Sequence, residues 1–205
     1  FPTNLEYLRA WCSHSHRGFE DSYCAIAMRD QLLQMLQLKD VERTGWVRAG
    51  VNKPESVAAH SWGMAILALK LCPDELDQSR VLSMCLVHDL AEVIVGDLTP
   101  HDDIRGKEKH QLERKAMLAM APEWIDLFDE YESASTPEAK FVKTMDKLDM
   151  GLQAIRYTEQ DIDLSEFISS ARKTTDKTDL AYLLEWDNRA DNNKNTYVRR
   201  WVTAR

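Results

Sequence analysis

Between Val81 and Val95 eleven of fifteen residues are apolar: Val81, Leu82, Met84, Cys85, Leu86, Val87, Leu90, Ala91, Val93, Ile94 and Val95. A run of this kind leaves almost no polar face, which predicts a central helix buried on every side. A continuous strand is the competing reading, but the length favours a helix. A helix without a wet face needs partners all round it. The chain's 205 residues supply one domain with a substantial core, and too little for two large ones. With only 7 Gly and 6 Pro there is little material for a turn-rich sandwich or barrel.

The rest of the chain reads as helices arranged around that segment. From about residue 21, Ile26, Met28, Leu32, Leu33, Met35, Leu36 and Leu38 recur at three- and four-residue steps. Gly45, Gly50 and Pro54 mark a loop, and Ser56 is placed to cap a helix running to about Leu71. On that helix Val57, His60, Met64, Leu67 and Leu71 share a stripe, so His60 points to the core. Further helices are expected over 107–120, 122–132, 137–159 and 176–190; the third opens on Thr136-Pro137-Glu138, a cap followed by Pro and an acid in the first turn. No β-alternating run of useful length occurs. The expected architecture is all-α: a flexible N-terminal arm over 1–20, one helical domain over 21–190, and a C-terminal tail over 191–205.

Composition narrows the function classes. A net charge of −8 offers no broad basic footprint for a nucleic-acid polymer, although a pocket can still be locally positive. No stretch approaches the ~20 apolar residues of a bilayer span, and the opening Phe1-Pro2-Thr3-Asn4 predicts no secretory signal. Cys12, Cys24, Cys72 and Cys85 are scattered, without a CxxC pair, and read as reduced thiols. The expected setting is therefore cytoplasmic, with the nucleus as the other reducing compartment. His14 and His16, in the N-terminal arm, read as solvated.

Inside the most apolar helix sits Val87-His88-Asp89-Leu90-Ala91-Glu92. Burying an unpaired carboxylate costs several kcal/mol, so such groups persist only beside another charge or a metal. His88 and Glu92, four apart, share a face, while His88 and Asp89 can grip one ion from adjacent positions. A single such residue is more often a satisfied core group, with Asp89 paired to Arg43 or Lys147; three in one turn favour a site. His60 is a further candidate. Asp146 lies at the edge of the face traced by Phe141, Val142, Met145, Leu148 and Leu152, and Asp149, one turn on, could equally face inward. Two imidazoles with two carboxylates suit one divalent Co2+, Mn2+, Zn2+ or Fe2+ ion, and are too nitrogen-rich for a dedicated Mg2+ or Ca2+ cage.

The order His60, His88-Asp89, Asp146 resembles the HD-domain metal-dependent phosphohydrolases, an all-helical superfamily named for its His-Asp pair. The surroundings narrow the likeness: Arg43-Thr44-Gly45-Trp46, Pro54-Glu55-Ser56-Val57-Ala58-Ala59-His60, Val95-Gly96-Asp97-Leu98-Thr99-Pro100 and Glu138-Ala139-Lys140-Phe141-Val142-Lys143. Over about residues 25–160 these resemble the 5′-deoxynucleotidase branch, which includes the eukaryotic HD domain-containing protein 2 group.

The resemblance implies a single-domain HD-type bundle with His60, His88, Asp89 and Asp146 as ligands of one metal ion. It implies Glu92 beside the attacking water, Asp97 near the sugar and the leaving oxygen, and an Arg and a Trp at the phosphate and deoxyribose. Trp46 stands at the matching distance from His60, and its alternative role is packing. The Arg is Arg43, with Arg48 as the alternative, since Gly45 occupies the position directly before Trp46. The implied reaction hydrolyses a 2′-deoxyribonucleoside 5′-monophosphate to deoxynucleoside and phosphate, with a homodimer compatible. Rival readings keep the site but change the substrate (a cyclic nucleotide, (p)ppGpp or a deoxynucleoside triphosphate), or make the chain a non-catalytic helical module with a vestigial metal site. Pyrophosphate substrates call for more cations than Arg43, Arg48, Lys53, Arg105 and Lys107. His101 and His110, which a second metal would need, read as surface residues.

Overall fold

The computed structural model describes residues 19–185 apart from Pro100, Asp103 and Arg105. The expected arm to residue 18, Trp186 and the tail over 191–205 with Tyr197 and Trp201 lie outside the described residues. Among the described residues nine α-helices follow one another: α1 (Phe19–Leu36), α2 (Thr44–Arg48), α3 (Val57–Leu71), α4 (Gln78–Val87), α5 (Glu92–Val95), α6 (Gly106–Met120), α7 (Ile125–Ser133), α8 (Pro137–Tyr157) and α9 (Ser165–Thr175). Among the described residues no strand forms, and one isolated bridge joins Glu42 to Ser56.

The helix starts follow from their capping residues. Ser56, Asp77 and Thr136 accept hydrogen bonds from the N–H groups of Ala59, Arg80 and Ala139, satisfying first-turn donors of α3, α4 and α8. Pro137 at the first position of α8 loses no helical hydrogen bond there. The long α8 is the hub. Its Val142, Met145, Leu148 and Ala154 are fully buried against Met64 and Ala68 of α3, Val81, Met84 and Cys85 of α4, and Ala171 of α9. A second cluster joins Val57, Leu90, Ala91, Met117, Met120 and Phe128, so the two apolar masses flank the His88 turn.

Two expectations need correction. The segment from Val81 to Val95 is not one helix: α4 ends at Val87 and α5 begins at Glu92. The four residues between are tightened by i→i+3 bonds, Leu90 N–H to Val87 O and Glu92 N–H to Asp89 O. Apolar periodicity cannot register such a tightening, because the side chains remain buried through it. Nor is the segment buried all round, since Leu86 and Ile94 are about half exposed (55% and 48%). The α1 stripe lies mostly outside the core: Ile26, Leu32, Leu33 and Leu36 are exposed, and the helix is anchored by its end, where Leu38 is buried and Met35 packs beside it. The second correction concerns the expected helix over 176–190, which does not form among the described residues 176–185. Residues 176–180 form turns and Ala181–Leu184 a 3-10 segment, residues 186–190 lie outside the described residues, and the helix lies earlier, at α9. Ser165-Glu166-Phe167-Ile168 carried no cap or long stripe to mark it, and α9 is held by packing on α8.

Candidate metal centre

Three elements deliver the polar groups. From α3 comes His60, fully buried. The tight turn after α4 supplies His88 and Asp89, and α8 supplies Asp146 and Asp149. One ligand atom each from His60, His88 and Asp89 lies within 4.8 Å of the other two. Asp146 joins them, its Oδ1 3.3 Å from His60 Nε2. Lys147 Nζ sits 3.3 Å from the Oδ2 of Asp146, and the Tyr131 hydroxyl donates to the same oxygen.

The two imidazoles are oriented from behind. His88 Nδ1 donates to the backbone carbonyl of Cys85 at 3.0 Å, and His60 Nδ1 donates to Asp149 Oδ2 at 2.7 Å. Each ring therefore turns Nε2 inward. Both Nε2 atoms are buried and make no hydrogen bond, although His88 Nε2 lies 2.9 Å from Asp89 Oδ2. Buried polar atoms are rarely left unpaired, and each needs a reason. Two inward-facing nitrogens beside two carboxylates form a donor set that fits a divalent transition ion.

Electrostatics agree with a site built for positive charge. Burial pushes the Asp89 carboxyl up, but His88 and Arg43 outweigh it and hold the group below the usual carboxylate range. Asp146 is likewise held well below that range, against its burial, by His60 and Lys147. Burial and the Arg43 charge depress His60, yet Asp146 and Asp149 prevail and lift it to about 9. Glu92 goes the other way: burial first, then Asp89 and Asp97, push its carboxyl well above the ordinary value. Its Oε2 is a third buried atom without a partner.

The cluster opens into a cavity of about 840 Å3, within the ordinary range for small-molecule sites. Arg43, Trp46, Arg48, Glu92 and Asp97 all line it. Arg43 is nearest the cluster, Nη1 3.4 Å from Asp89 Oδ2, and the surrounding carboxylates keep it a cation. Arg48 turns away: its guanidinium bonds Thr99 and Asp102, and it is half-exposed. Asp97 Oδ2 accepts the Thr44 N–H at 2.6 Å, so one of its oxygens tethers the start of α2. Trp46 is only 1% exposed; its ring lies between Tyr157 and Phe167, with centroids 5.4 and 4.3 Å away, and its Nε1 donates to Glu55. His110 pairs with Glu132 beyond the cluster.

Some residues here escaped the sequence. Lys109, which donates to the Leu98 carbonyl and pairs with buried Glu113, and Phe167 of α9 both face the cavity without any local signal. The tie between Glu55 and the Trp46 indole N–H also left no local signal, since the two stand nine residues apart. Asp149 did leave a trace, standing three residues after Asp146 on one helix.

A family model described as "HD domain" matches residues 35–183, which contain every residue of the cluster. The chain belongs to the HD-domain family. Among curated relatives of this HD chain, the Schizosaccharomyces pombe protein named 5′-deoxynucleotidase hdd1 is 44% identical over 147 residues, covering 64% of this chain and 74% of that protein. The human protein named 5′-deoxynucleotidase HDDC2 is 44% identical over 140 residues, covering 62% and 69%. Among solved structures, a conserved hypothetical protein from Pyrococcus furiosus superposes with a TM-score of 0.66 at 36% identity, covering 76% of this chain and 93% of its own. The all-α bundle expected from the sequence is thus the HD fold, and its His/Asp cluster can hold a metal ion.

Proposed function

We propose that this chain is a phosphomonoesterase that hydrolyses 2′-deoxyribonucleoside 5′-monophosphates, using one divalent ion held by His60, His88, Asp89 and Asp146. The observation that carries the reading is the pair of buried, unpaired Nε2 atoms beside two carboxylates at the floor of a cavity lined by Arg43. The substrate class draws its support from the relatives named 5′-deoxynucleotidase. When bound, such an ion polarises a phosphate oxygen and lowers the pKa of a coordinated water. Co2+, Mn2+, Zn2+ and Fe2+ suit the donor set better than Mg2+.

The remaining work belongs to side chains. Arg43, rather than Arg48, offsets the phosphate dianion, because its guanidinium already lies at the cluster while that of Arg48 is taken by Thr99 and Asp102. Glu92 orients the attacking water and takes its proton. Burial and its acidic neighbours make this carboxylate a stronger base than an ordinary one. As the water oxygen bonds to phosphorus, the P–O5′ bond breaks. With Oδ2 committed to Thr44, Asp97 uses Oδ1 for the sugar 3′-OH or to pass a proton to the leaving O5′. Trp46, held rigid between Tyr157 and Phe167, is a fixed wall suited to crowding a 2′-hydroxyl.

Two further expectations belong to this proposal. Exposed Trp62, Ile66 and Leu69 stand at i, i+4 and i+7 of α3 and support a homodimer. The free thiols of Cys72 and Cys85 support a reducing, cytoplasmic setting; Cys12 and Cys24 lie outside the residues whose side chains are described. No helix among the described residues is long and apolar enough to cross a membrane.

The test is phosphate release from a panel of deoxy- and ribonucleoside 5′-monophosphates, with Co2+, Mn2+, Zn2+ and Mg2+ supplied separately and a chelator-treated control. The expected pattern is release from deoxynucleotides with the transition ions, little from ribonucleotides, and none after chelation. No release with any pairing would overturn the assignment.

A further inference from the structure

Behind the metal cluster, His60 is gripped at both ends by one helix. Asp146 Oδ1 faces its Nε2 at 3.3 Å, and Asp149 Oδ2 meets its Nδ1 at 2.7 Å. The second contact is possible only because Gly63, one turn after His60 on α3, has no side chain. A Cβ built there would stand 2.2 Å from Asp149 Oδ1 and 3.0 Å from its Cγ. Any other residue would push the carboxylate out of the gap between α3 and α8, or push the helices apart. Glu55 is close enough to His60 and Asp149 for the three to read as a separate cation site. That reading fails on chemistry: the carboxylate accepts, so Nδ1 carries the hydrogen and has no lone pair for an ion.

We propose that Asp149 is a positioning residue for the metal centre: seated in the space left by Gly63, it fixes His60 with hydrogen on Nδ1 and the Nε2 lone pair aimed at the ion. This rests on the metal-centre reading above. The two histidines are oriented by different means. His88 leans on a neutral backbone carbonyl and His60 on a carboxylate, which makes the His60 ring the more basic donor. Loss of such an orienting partner typically weakens metal binding by about 10–100-fold.

The experiment titrates Co2+ into the full, metal-free chain against a chromophoric chelator, in alkaline buffer so that protons do not mask the difference. Asp149→Ala, Asp149→Asn and Gly63→Ala are compared with the parent. Asp149→Ala is expected to bind Co2+ about 10–100-fold more weakly. The Asn variant, whose amide oxygen can still accept from Nδ1–H, should recover part of the loss. Gly63→Ala, which displaces the carboxylate while leaving it in the chain, should shift in the same direction as Asp149→Ala, with altered visible Co2+ bands. Thermal unfolding of the metal-free forms separates this from general damage, because a purely structural Asp149 would lower the melting temperature and leave affinity unchanged in whatever remains folded. If Asp149→Ala fails to fold, the Asn and Gly63 variants decide the matter. Parental affinity in folded Asp149→Ala, no recovery in Asp149→Asn, or parental affinity in Gly63→Ala would each overturn the positioning role while leaving the metal centre standing. A parent chain that takes up no Co2+ would remove the centre and this role together.

Discussion

Gly151 of α8 lies against Ala171 of α9 and Leu184 with no side chain of its own between them, and it yields a prediction whose sign is set by tertiary structure. In an isolated helix, Gly→Ala at an interior position stabilises by about 1 kcal/mol. Here an added Cβ would lie 2.7 Å from Ala171 Cβ on α9 and 2.9 and 3.1 Å from the two Leu184 methyls. The Leu184 methyls can rotate away, but Ala171 has nothing to rotate, so the helices must separate. Overpacking of this kind costs about 1–3 kcal/mol. The balance is a loss of about 1 kcal/mol, or roughly 2–4 °C in melting temperature for a domain of this size. The assay is thermal and urea unfolding of Gly151→Ala beside Gly106→Ala, where a Cβ meets nothing within 4 Å. Gly106→Ala should hold or gain slightly. Adding Ala171→Gly to Gly151→Ala should restore the contact, so the two changes should couple favourably in a double-mutant cycle. A rise in melting temperature for Gly151→Ala, or strict additivity in the cycle, would mean that α9 does not dock on α8 as described.

Two other outcomes are expected. Glu92→Gln should bind a divalent ion as the parent does, but lose about 10²–10⁴-fold in phosphate release; full turnover would remove Glu92 from proton handling. Glu130, buried beside α8, accepts from Arg80 and from the α8-capping Thr136, and chiefly the Arg80 contact holds its carboxyl below the ordinary value. A lowered folded-state pKa contributes stability that is present above the unfolded value and lost as pH falls through the folded one. Glu130→Gln should therefore cost about 1 kcal/mol near neutrality, screened because Arg80 is half-exposed, and nothing once the parent carboxyl is protonated in acid. Equal destabilisation at both pH values in urea unfolding would refute the ion-pair account.

The helical class, the capped starts at Ser56 and Thr136, and the unusual charge in Val87–Glu92 were all legible in the amino-acid sequence, because capping and burial are local consequences of residue type and spacing. His60 could be placed facing inward for the same reason, since its stripe on α3 is set by the helical period. The tertiary structure alone decided what depends on partners distant along the chain. It tightened the His88–Ala91 turn inside an apolar run that reads as unbroken, and it paired Arg48 with Thr99 and Asp102 while setting Arg43 beside Asp89. It also left the α1 stripe mostly outside the core and formed α9 where local propensity is weak. Finally, it seated Asp149 against His60 through a gap opened by Gly63 on another helix, a complementarity of shape that appears only when α3 and α8 lie side by side.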